Sequence, residues 1–177
     1  MLLKVEKIFN KNPLDYLRRA VELAEIGLNK SDEPFGSILV LDDKILFEGH
    51  NEISSGDNTR HPEFELSRWA ANNLTTDEWK RAIVYTSGEH CPMCAAAHAW
   101  VGLGTIYYAS STKQLVKWYE EFNFTRSNVK PLSINDIIIN TETFGPFYEF
   151  EETIKQLHKI SVERKKSWKG LLFFCKT

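Results

Sequence analysis

The sequence predicts an α/β fold, a three-layer α/β/α sandwich around a five-stranded mixed sheet. Three observations indicate this class. Segments with apolar residues at helical spacing alternate with short apolar runs, Gly, Pro and Asp separate the segments, and the chain has 177 residues. Helical and strand segments that alternate along a chain are typical of a sheet covered by helices on both faces. One domain is expected, because about 100–200 residues usually form one.

The helices are predicted where apolar residues recur on one face. Pro13 suits the start of the first helix, because the first N–H groups of a helix have no partner within it. Gly104 ends the third helix before the next strand. The predicted helices cover residues 14–28, 61–74, 93–103, 112–122 and 150–166.

The strands are predicted from short apolar runs between turn signals. Asp42 and Asp43 separate the first two runs, which predicts a β-hairpin and therefore an antiparallel first pair. Later strands are joined by helices, so we expect parallel pairs with right-handed crossovers. Residues 137–139 and 141–144 compete for the last strand. The other predicted strands cover residues 37–41, 44–48, 82–86 and 105–109.

Composition narrows the class of protein further. Hydrophobic residues are 42% of the chain and charged residues 26%, which excludes a wholly disordered protein. There is no run of about 18 uncharged apolar residues, so no transmembrane helix is expected. The charged start of the sequence argues against a secretion signal. Three cysteines are an odd number for a disulfide framework, so a reducing, cytoplasmic location is predicted.

Two predicted helices begin with residue types that bind metals. One begins His61-Pro62-Glu63, and the other begins with the run from His90 to Cys94. Cys91 and Cys94 are three residues apart, so they lie about 60° apart around a helix, on one face. With the His61 imidazole they form a Cys₂His set, which leaves a fourth tetrahedral position open, as in catalytic zinc sites. Zinc in such a site lowers the pKa of a bound water to about 7.

Glu63 is the candidate acid–base residue. It lies two residues from His61 in the same turn, so its carboxylate can stand beside a metal without binding it. The alternative is an ordinary first-turn Glu that the helix dipole favours. The Cys-x-x-Cys pair alone is also compatible with redox chemistry, but the upstream His-x-Glu favours zinc.

These two motifs together resemble the zinc-dependent cytidine/deoxycytidylate deaminase superfamily, whose signature is His-x-Glu followed by Pro-Cys-x-x-Cys. The resemblance covers roughly residues 14–110 and is nearest to the branch of guanine, cytosine and tRNA adenosine deaminases. Three further runs are similar to that branch: Pro34-Phe35-Gly36 before a strand, Gly49-His50-Asn51 in the loop that carries a base-binding Asn, and the run from Thr86 to Cys91.

The resemblance implies a cytidine-deaminase-like fold and a single zinc-dependent deaminase domain over residues 1–177. It implies one zinc ion per chain, bound by His61, Cys91 and Cys94, with Glu63 as the catalytic residue. The implied activity is hydrolytic deamination of a free nucleobase or nucleoside, with guanine or another purine favoured and ammonia released. By analogy with small members of the family, a homodimer is expected.

The resemblance also implies a substrate pocket. Asn51 is expected to hydrogen-bond the base, the alternative being a turn residue, and Phe35 is a candidate pocket aromatic. Glu89 is expected either to contact a substrate amino group or to hydrogen-bond backbone. The family usually has Pro where this chain has His90, so His90 either reaches the substrate or binds the metal. Trp100, on a helix of small residues, is expected in the core.

Two other functions are open. The first is tRNA adenosine deamination, for which Arg164-Lys165-Lys166 and Lys169 are the one basic cluster, but a net charge of −2 argues against nucleic acid. The second is a structural zinc module, which needs a fourth protein ligand such as His90. The apolar tail, residues 170–177, is predicted either to pack on the core or to close an active site.

Overall fold

The computed structural model of the protein describes residues 12–125 and 128–174, with side chains described up to residue 167. Helices and strands alternate along it as predicted. The helices are α1 (Pro13–Asn29), α2 (Pro62–Asn73), α3 (Thr76–Arg81), α4 (Pro92–Val101), α5 (Thr112–Glu121) and α6 (Glu151–Phe174). The strands are β1 (Gly36–Leu41), β2 (Lys44–His50), β3 (Ile83–Gly88), β4 (Ile106–Ser110) and β5 (Thr143–Phe144).

The five strands form one mixed sheet in the order β2-β1-β3-β4-β5. Strand β1 is antiparallel to both β2 and β3, whereas β3, β4 and β5 run parallel to one another. Asp42 and Asp43, which join β1 to β2, both have positive φ angles, 49° and 61°. Paired positive φ angles are typical of the tight turns that fit the twist of a hairpin. The predicted mixed sheet and its hairpin are therefore confirmed.

The sheet separates two hydrophobic cores, which confirms the three-layer architecture. Helices α1, α5 and α6 cover one face, and α2 and α4 cover the other. The side chains of β1 alternate between the layers, because successive residues of a strand point to opposite faces. Ile38 and Val40 join the first core, and Leu39 joins the second. A Cβ at Gly36 would lie 2.4 Å from the Ala20 carbonyl oxygen, so this glycine lets α1 approach the start of β1.

Three local expectations differ from the structure. Helix α3 was not predicted, although Thr75 and Glu78 form a complete capping box at its start. Residues 137–139 are not a strand: Ile138 is buried in the second core, whereas Ile139 is 89% exposed. Trp100 is 90% exposed, so its expected place in the core is wrong. The apolar type of a residue does not by itself predict burial, because burial depends on which other segments pack against that residue.

The C-terminal segment is helical as far as Phe174, so α6 continues beyond the predicted residues 150–166. The packing or closing role predicted for the tail 170–177 depends on side chains that lie outside the described residues. Among the helices that are described, none is both long enough and apolar enough to span a membrane.

Candidate active site

Helices α2 and α4 bring the candidate metal ligands together at their N-termini. His61 is the N-cap residue of α2 and Cys91 is that of α4, each followed by a Pro at the first helical position. Pro is well suited there, because the first N–H groups of a helix have no intrahelical partner. Neither N-cap side chain hydrogen-bonds its own helix. Both side chains therefore remain available for the site.

The donor atoms of His61, Cys91 and Cys94 all lie within 4.8 Å of one another, and no further residue of the described chain joins the group. His61 Nδ1 lies 3.6 Å from each sulfur, and the two sulfurs are 3.4 Å apart. Tetrahedral zinc with Zn–S of about 2.3 Å and Zn–N of about 2.0 Å places such atoms roughly 3.5–3.8 Å apart. The three residues therefore fit one zinc ion with a fourth position left over.

The protein's own groups keep one thiol of this set ionised. The hydrogen bond from Cys94, aided by His61, outweighs burial and lowers the pKa of Cys91 to about 4. The same hydrogen bond, together with burial, raises the pKa of Cys94 well above its ordinary value. Burial acts to lower the pKa of His61, but Cys91 and nearby carboxylates raise it overall. Because thiolates are the metal-binding form of cysteine, a thiolate at Cys91 favours metal binding.

Glu63 stands beside the donor group and outside it; its role as a proton shuttle stays a prediction. Its side chain is 4% exposed, and its Oε2 lies 3.8 Å from the Cys94 sulfur. Its other oxygen, Oε1, accepts hydrogen bonds from Ser37 and Thr86, each at 2.8 Å. Neither hydroxyl was predicted from the sequence to belong to the site. The sequence signal for Ser37 is a polar residue in the otherwise apolar, buried strand β1; β3 also holds Ser87, so Thr86 has no such signal.

Asn51 follows directly after β2. It is fully buried, and its backbone N–H donates to the Phe35 carbonyl just before β1. Its Oδ1 accepts the backbone N–H groups of Glu33 and Ile53, both at 3.3 Å. Its Nδ2 is buried and has no hydrogen-bond partner within the described part of the chain. A buried donor without an acceptor costs about 1–3 kcal/mol, so this amide is suited to a ligand that supplies one.

The structure gives Glu89 and Phe35 other contacts. The Glu89 carboxylate accepts the backbone N–H groups of Thr112 and Ile134, each at 2.7 Å, which favours the backbone alternative. Phe35 belongs to the core beneath α6, with its ring edge-to-face against His158 at 5.0 Å. Substrate contacts by Glu89 and Phe35 remain predictions.

His90 lies in the interior, apart from the three donor residues. Its side chain is 1% exposed and packs edge-to-face against His98, with ring centroids 5.5 Å apart. Burial and the neighbouring His98 lower the pKa of His90 well below its ordinary value. This placement supports neither a fourth protein ligand nor, by itself, a substrate contact.

Three basic residues of the predicted C-terminal cluster make contacts within the chain, and the side chain of the fourth, Lys169, lies outside the described residues. Arg164 donates to the Leu28 carbonyl at 2.5 Å, and Lys166 donates to the Phe122 carbonyl at 2.6 Å. Lys165 forms an ion pair with Glu33. These contacts attach α6 to the ends of α1 and α5. The ion pair offsets the charge of Lys165, and the hydrogen bonds occupy donor groups of Arg164 and Lys166 that could otherwise contact a phosphate.

A three-layer sandwich with a His/Cys/Cys group and a buried Glu at two helix N-termini defines a class of metal-dependent hydrolases. Residues 10–110 match the sequence profile of the family described as "Cytidine and deoxycytidylate deaminase zinc-binding region". The chain belongs to this family of deaminases, and zinc is its cofactor. The resemblance stated from the motifs is therefore confirmed.

The relatives are named for different substrates. Guanine deaminase of Bacillus subtilis is 39% identical over 97 residues, which cover 54% of this chain and 62% of that protein. A probable cytosine deaminase of Schizosaccharomyces pombe is 28% identical over 152 residues, 82% of this chain and 90% of that protein. The tRNA-specific adenosine deaminase 2 of Xenopus tropicalis is 27% identical over 101 residues, 53% and 59%. The match thus spans less than two thirds of the first and third relatives.

Solved structures agree with the fold. The X-ray structure of Bacillus subtilis guanine deaminase superposes with a TM-score of 0.53 at 29% identity, over 69% of this chain and 83% of that one. The guanine deaminase of Nitrosomonas europaea gives a TM-score of 0.61 at 17% identity, over 84% and 85%. At 17% identity the second likeness concerns the fold alone.

Proposed function

We propose that the protein catalyses the hydrolytic deamination of a free nucleobase or nucleoside, with guanine or another purine favoured and ammonia released. The observation that carries this proposal is the buried Glu63 carboxylate beside the three-donor group, 3.8 Å from the Cys94 sulfur. A carboxylate that is held next to a metal group without joining it is suited to moving protons.

In the proposed reaction, His61, Cys91 and Cys94 hold the zinc ion. A zinc ion bound there would act as a Lewis acid and make water easier to deprotonate at neutral pH. Glu63 accepts a proton from the attacking water and delivers it to the ring nitrogen of the base. Once the water oxygen is bonded to the ring carbon, Glu63 takes the remaining proton of that hydroxyl and delivers it to the amino nitrogen. The C–N bond then breaks, ammonia leaves, and the ring carbon becomes a carbonyl. Because Glu63 is 4% exposed, bulk water competes little for these protons.

Asn51 is the proposed base-recognition residue. Its buried Nδ2 lacks an acceptor among the described residues, and a purine or pyrimidine offers ring nitrogens and carbonyl oxygens as acceptors. A pocket that must satisfy a buried donor rejects ligands that lack the matching acceptor. The preference for guanine rests on the 39% identity with a guanine deaminase, not on the pocket itself.

Adenosine in tRNA is the second candidate substrate, because tRNA-specific adenosine deaminases are among the relatives. A tRNA substrate requires cationic side chains for its phosphates. In the predicted basic cluster, Arg164 to Lys166 are bound to backbone carbonyls and to Glu33, and the side chain of Lys169 lies outside the described residues. These contacts support a small substrate.

A homodimer is proposed on the basis of the apolar surface next to α4. Trp100 is 90% exposed, and Ile139, which lines one cavity together with Ala99 of α4, is 89% exposed. Large exposed apolar side chains of this kind are typical of protein interfaces. Sedimentation analysis should give a dimer mass for the wild type and a monomer mass for Trp100→Lys. A monomeric wild type would contradict the proposal.

The experiment that tests the proposed function is a substrate panel with ammonia release as the readout. Guanine, cytosine, adenine, cytidine and guanosine are compared with an RNA stem–loop that carries adenosine in its loop. We expect release from a purine base and none from the stem–loop. Asn51→Asp, which replaces the orphan amide donor by an acceptor, should lower kcat/KM about 10²-fold on the preferred base. Release from the stem–loop alone would establish the second candidate instead.

A further inference from the structure

Two buried hydroxyls face each other across the centre of the sheet. Ser37 in β1 is the register partner of Thr86 in β3, and both side chains are fully buried. They lie on the face that packs against α2 and α4. Their neighbours on that face, two positions along each strand, are Leu39 and Val84. Apolar residues are expected on this face, because a buried hydroxyl is costly unless it is hydrogen-bonded.

Both hydroxyls converge on one atom of Glu63. Ser37 Oγ and Thr86 Oγ1 each lie 2.8 Å from Glu63 Oε1 and 2.8 Å from each other. Thr86 Oγ1 also lies 3.1 Å from the Gly88 carbonyl oxygen and 3.3 Å from that of Gly36. Thr86 therefore also contacts backbone, whereas the Ser37 hydroxyl donates its one proton to Glu63 and has Thr86 Oγ1 as its other polar neighbour.

The arrangement fixes the orientation of the carboxylate relative to the donor group. The terminal torsion of a glutamate is broad, so an unrestrained carboxylate has no single preferred orientation. With Oε1 held by two strands, Oε2 is the oxygen directed to Cys94, at 3.8 Å. A shift of about 1 Å in a reacting group costs on the order of 10²-fold in rate.

We propose that Ser37 and Thr86 are positioning residues, which hold Glu63 Oε1 so that Oε2 receives and delivers the proton. This inference rests on the proposed function of Glu63. Ser37 gives the cleaner test, since its contacts are to Glu63 and its partner hydroxyl.

The main test is Ser37→Ala. We expect kcat to fall by about 10- to 100-fold with KM changed less than about 2-fold, because binding groups are untouched. Zinc content should remain one per chain. Ser37→Thr keeps the hydroxyl and should restore most of kcat. The matched control is Ser110→Ala, which removes another buried hydroxyl whose hydrogen bond, 2.8 Å to the Ser87 carbonyl, does not involve Glu63. It should lower stability and leave kcat unchanged.

A double-mutant cycle separates positioning from general stability. In the Glu63→Gln background, Ser37→Ala should lower kcat by less than about 2-fold, because the proton shuttle is already lost. In unfolding experiments, Ser37→Ala and Glu63→Ala should destabilise less together than the sum of each alone, since both remove the same hydrogen bond. If Ser37→Ala does not fold, the nearly isosteric Thr86→Val must show the same loss of kcat.

The outcomes distinguish this inference from the proposed function. If the wild type releases ammonia but Ser37→Ala and Thr86→Val keep its kcat, the positioning role is overturned and the proposed function stands. If the wild type deaminates no base or nucleoside, the proposed function fails. The unfolding cycle then still decides whether Ser37 holds Glu63, with additive effects overturning that claim.

Discussion

Four helices of the described chain begin in two different ways. Helices α3 and α5 begin at Thr75 and Ser111, each with a complete capping box. Helices α2 and α4 begin at His61 and Cys91, and neither N-cap side chain bonds its own helix. A Ser or Thr N-cap typically contributes about 1 kcal/mol of stability over Ala. Helices α2 and α4 therefore lack the stabilising N-cap hydrogen bond at the two positions, His61 and Cys91, where donor atoms come together.

Electrostatics adds to this difference. The N-terminus of a helix carries partial positive charge, which stabilises an anion near its first turn. Cys91 and Cys94 occupy that position in α4, and the pKa of Cys91 is lowered to about 4, first by Cys94 and then by His61. At Ser111 the same kind of helix end is satisfied by neutral hydroxyl and amide groups. The comparison predicts different consequences for substitutions at the two kinds of helix start.

The largest effect is expected from Cys91→Ala. Two donors do not complete a zinc site, so the variant should lose its zinc and all measurable deamination. Elemental analysis of the purified protein gives the metal content. A variant that retained one zinc per chain would show that the N-cap of α4 is an ordinary helix start.

Glu63→Gln should have the next largest effect. Gln is nearly isosteric and can accept the hydrogen bonds of Ser37 and Thr86, but it cannot take up a proton. We expect zinc to be retained and kcat to fall by about 10²–10⁴-fold. Zinc loss in this variant would mean that Glu63 is a ligand, and full turnover would mean that another group moves the proton.

The far end of α4 allows a prediction about pH. Burial lowers the pKa of His98 from 6.5 to about 4, so the folded protein keeps this ring neutral where the unfolded chain is protonated. The stability that depends on neutral His98 is present above pH 6.5 and is lost as pH falls from 6.5 to 4. That loss amounts to at most ~3 kcal/mol. Chemical unfolding at pH 7 and pH 4.5 should show a smaller pH-dependent loss for His98→Gln than for the wild type. Equal losses would contradict the assignment.

The smallest effect is expected at the conventional caps. Ser111→Ala should lower the free energy of unfolding by about 1 kcal/mol, because it removes the side-chain acceptor of the Gln114 N–H. Zinc content and kcat should not change. Denaturant unfolding and the ammonia assay measure the two quantities. A loss of zinc here would remove the distinction between the two kinds of helix start.

Local sequence patterns predicted the features that depend on neighbouring residues. The hairpin at Asp42-Asp43 and the ligand spacing of Cys91 and Cys94 are examples, since both follow from backbone geometry within a few residues. The capping box of Thr75 and Glu78 was also readable, and α3 was missed because its segment lacks a long apolar pattern.

Features that depend on distant segments could not be predicted in this way. From the sequence, the Glu89 carboxylate could contact either substrate or backbone, because its partner Ile134 lies 45 residues away along the chain. Ser37 and Thr86 acquire their contact to Glu63 only when β1 pairs with β3 and α2 packs on them. Register and layer packing decide such contacts, and neither is visible in the spacing of a single motif.

The most direct test of the account is X-ray absorption spectroscopy at the zinc edge of the purified protein. An open site formed by His61, Cys91 and Cys94 should show two sulfur donors at about 2.3 Å, together with one imidazole nitrogen and one light-atom donor from solvent, both at about 2.0–2.1 Å. His90→Ala should leave the spectrum unchanged. A second imidazole that disappears in His90→Ala, or a zinc without sulfur donors, would contradict the claim that the N-caps of α2 and α4 form an open zinc site.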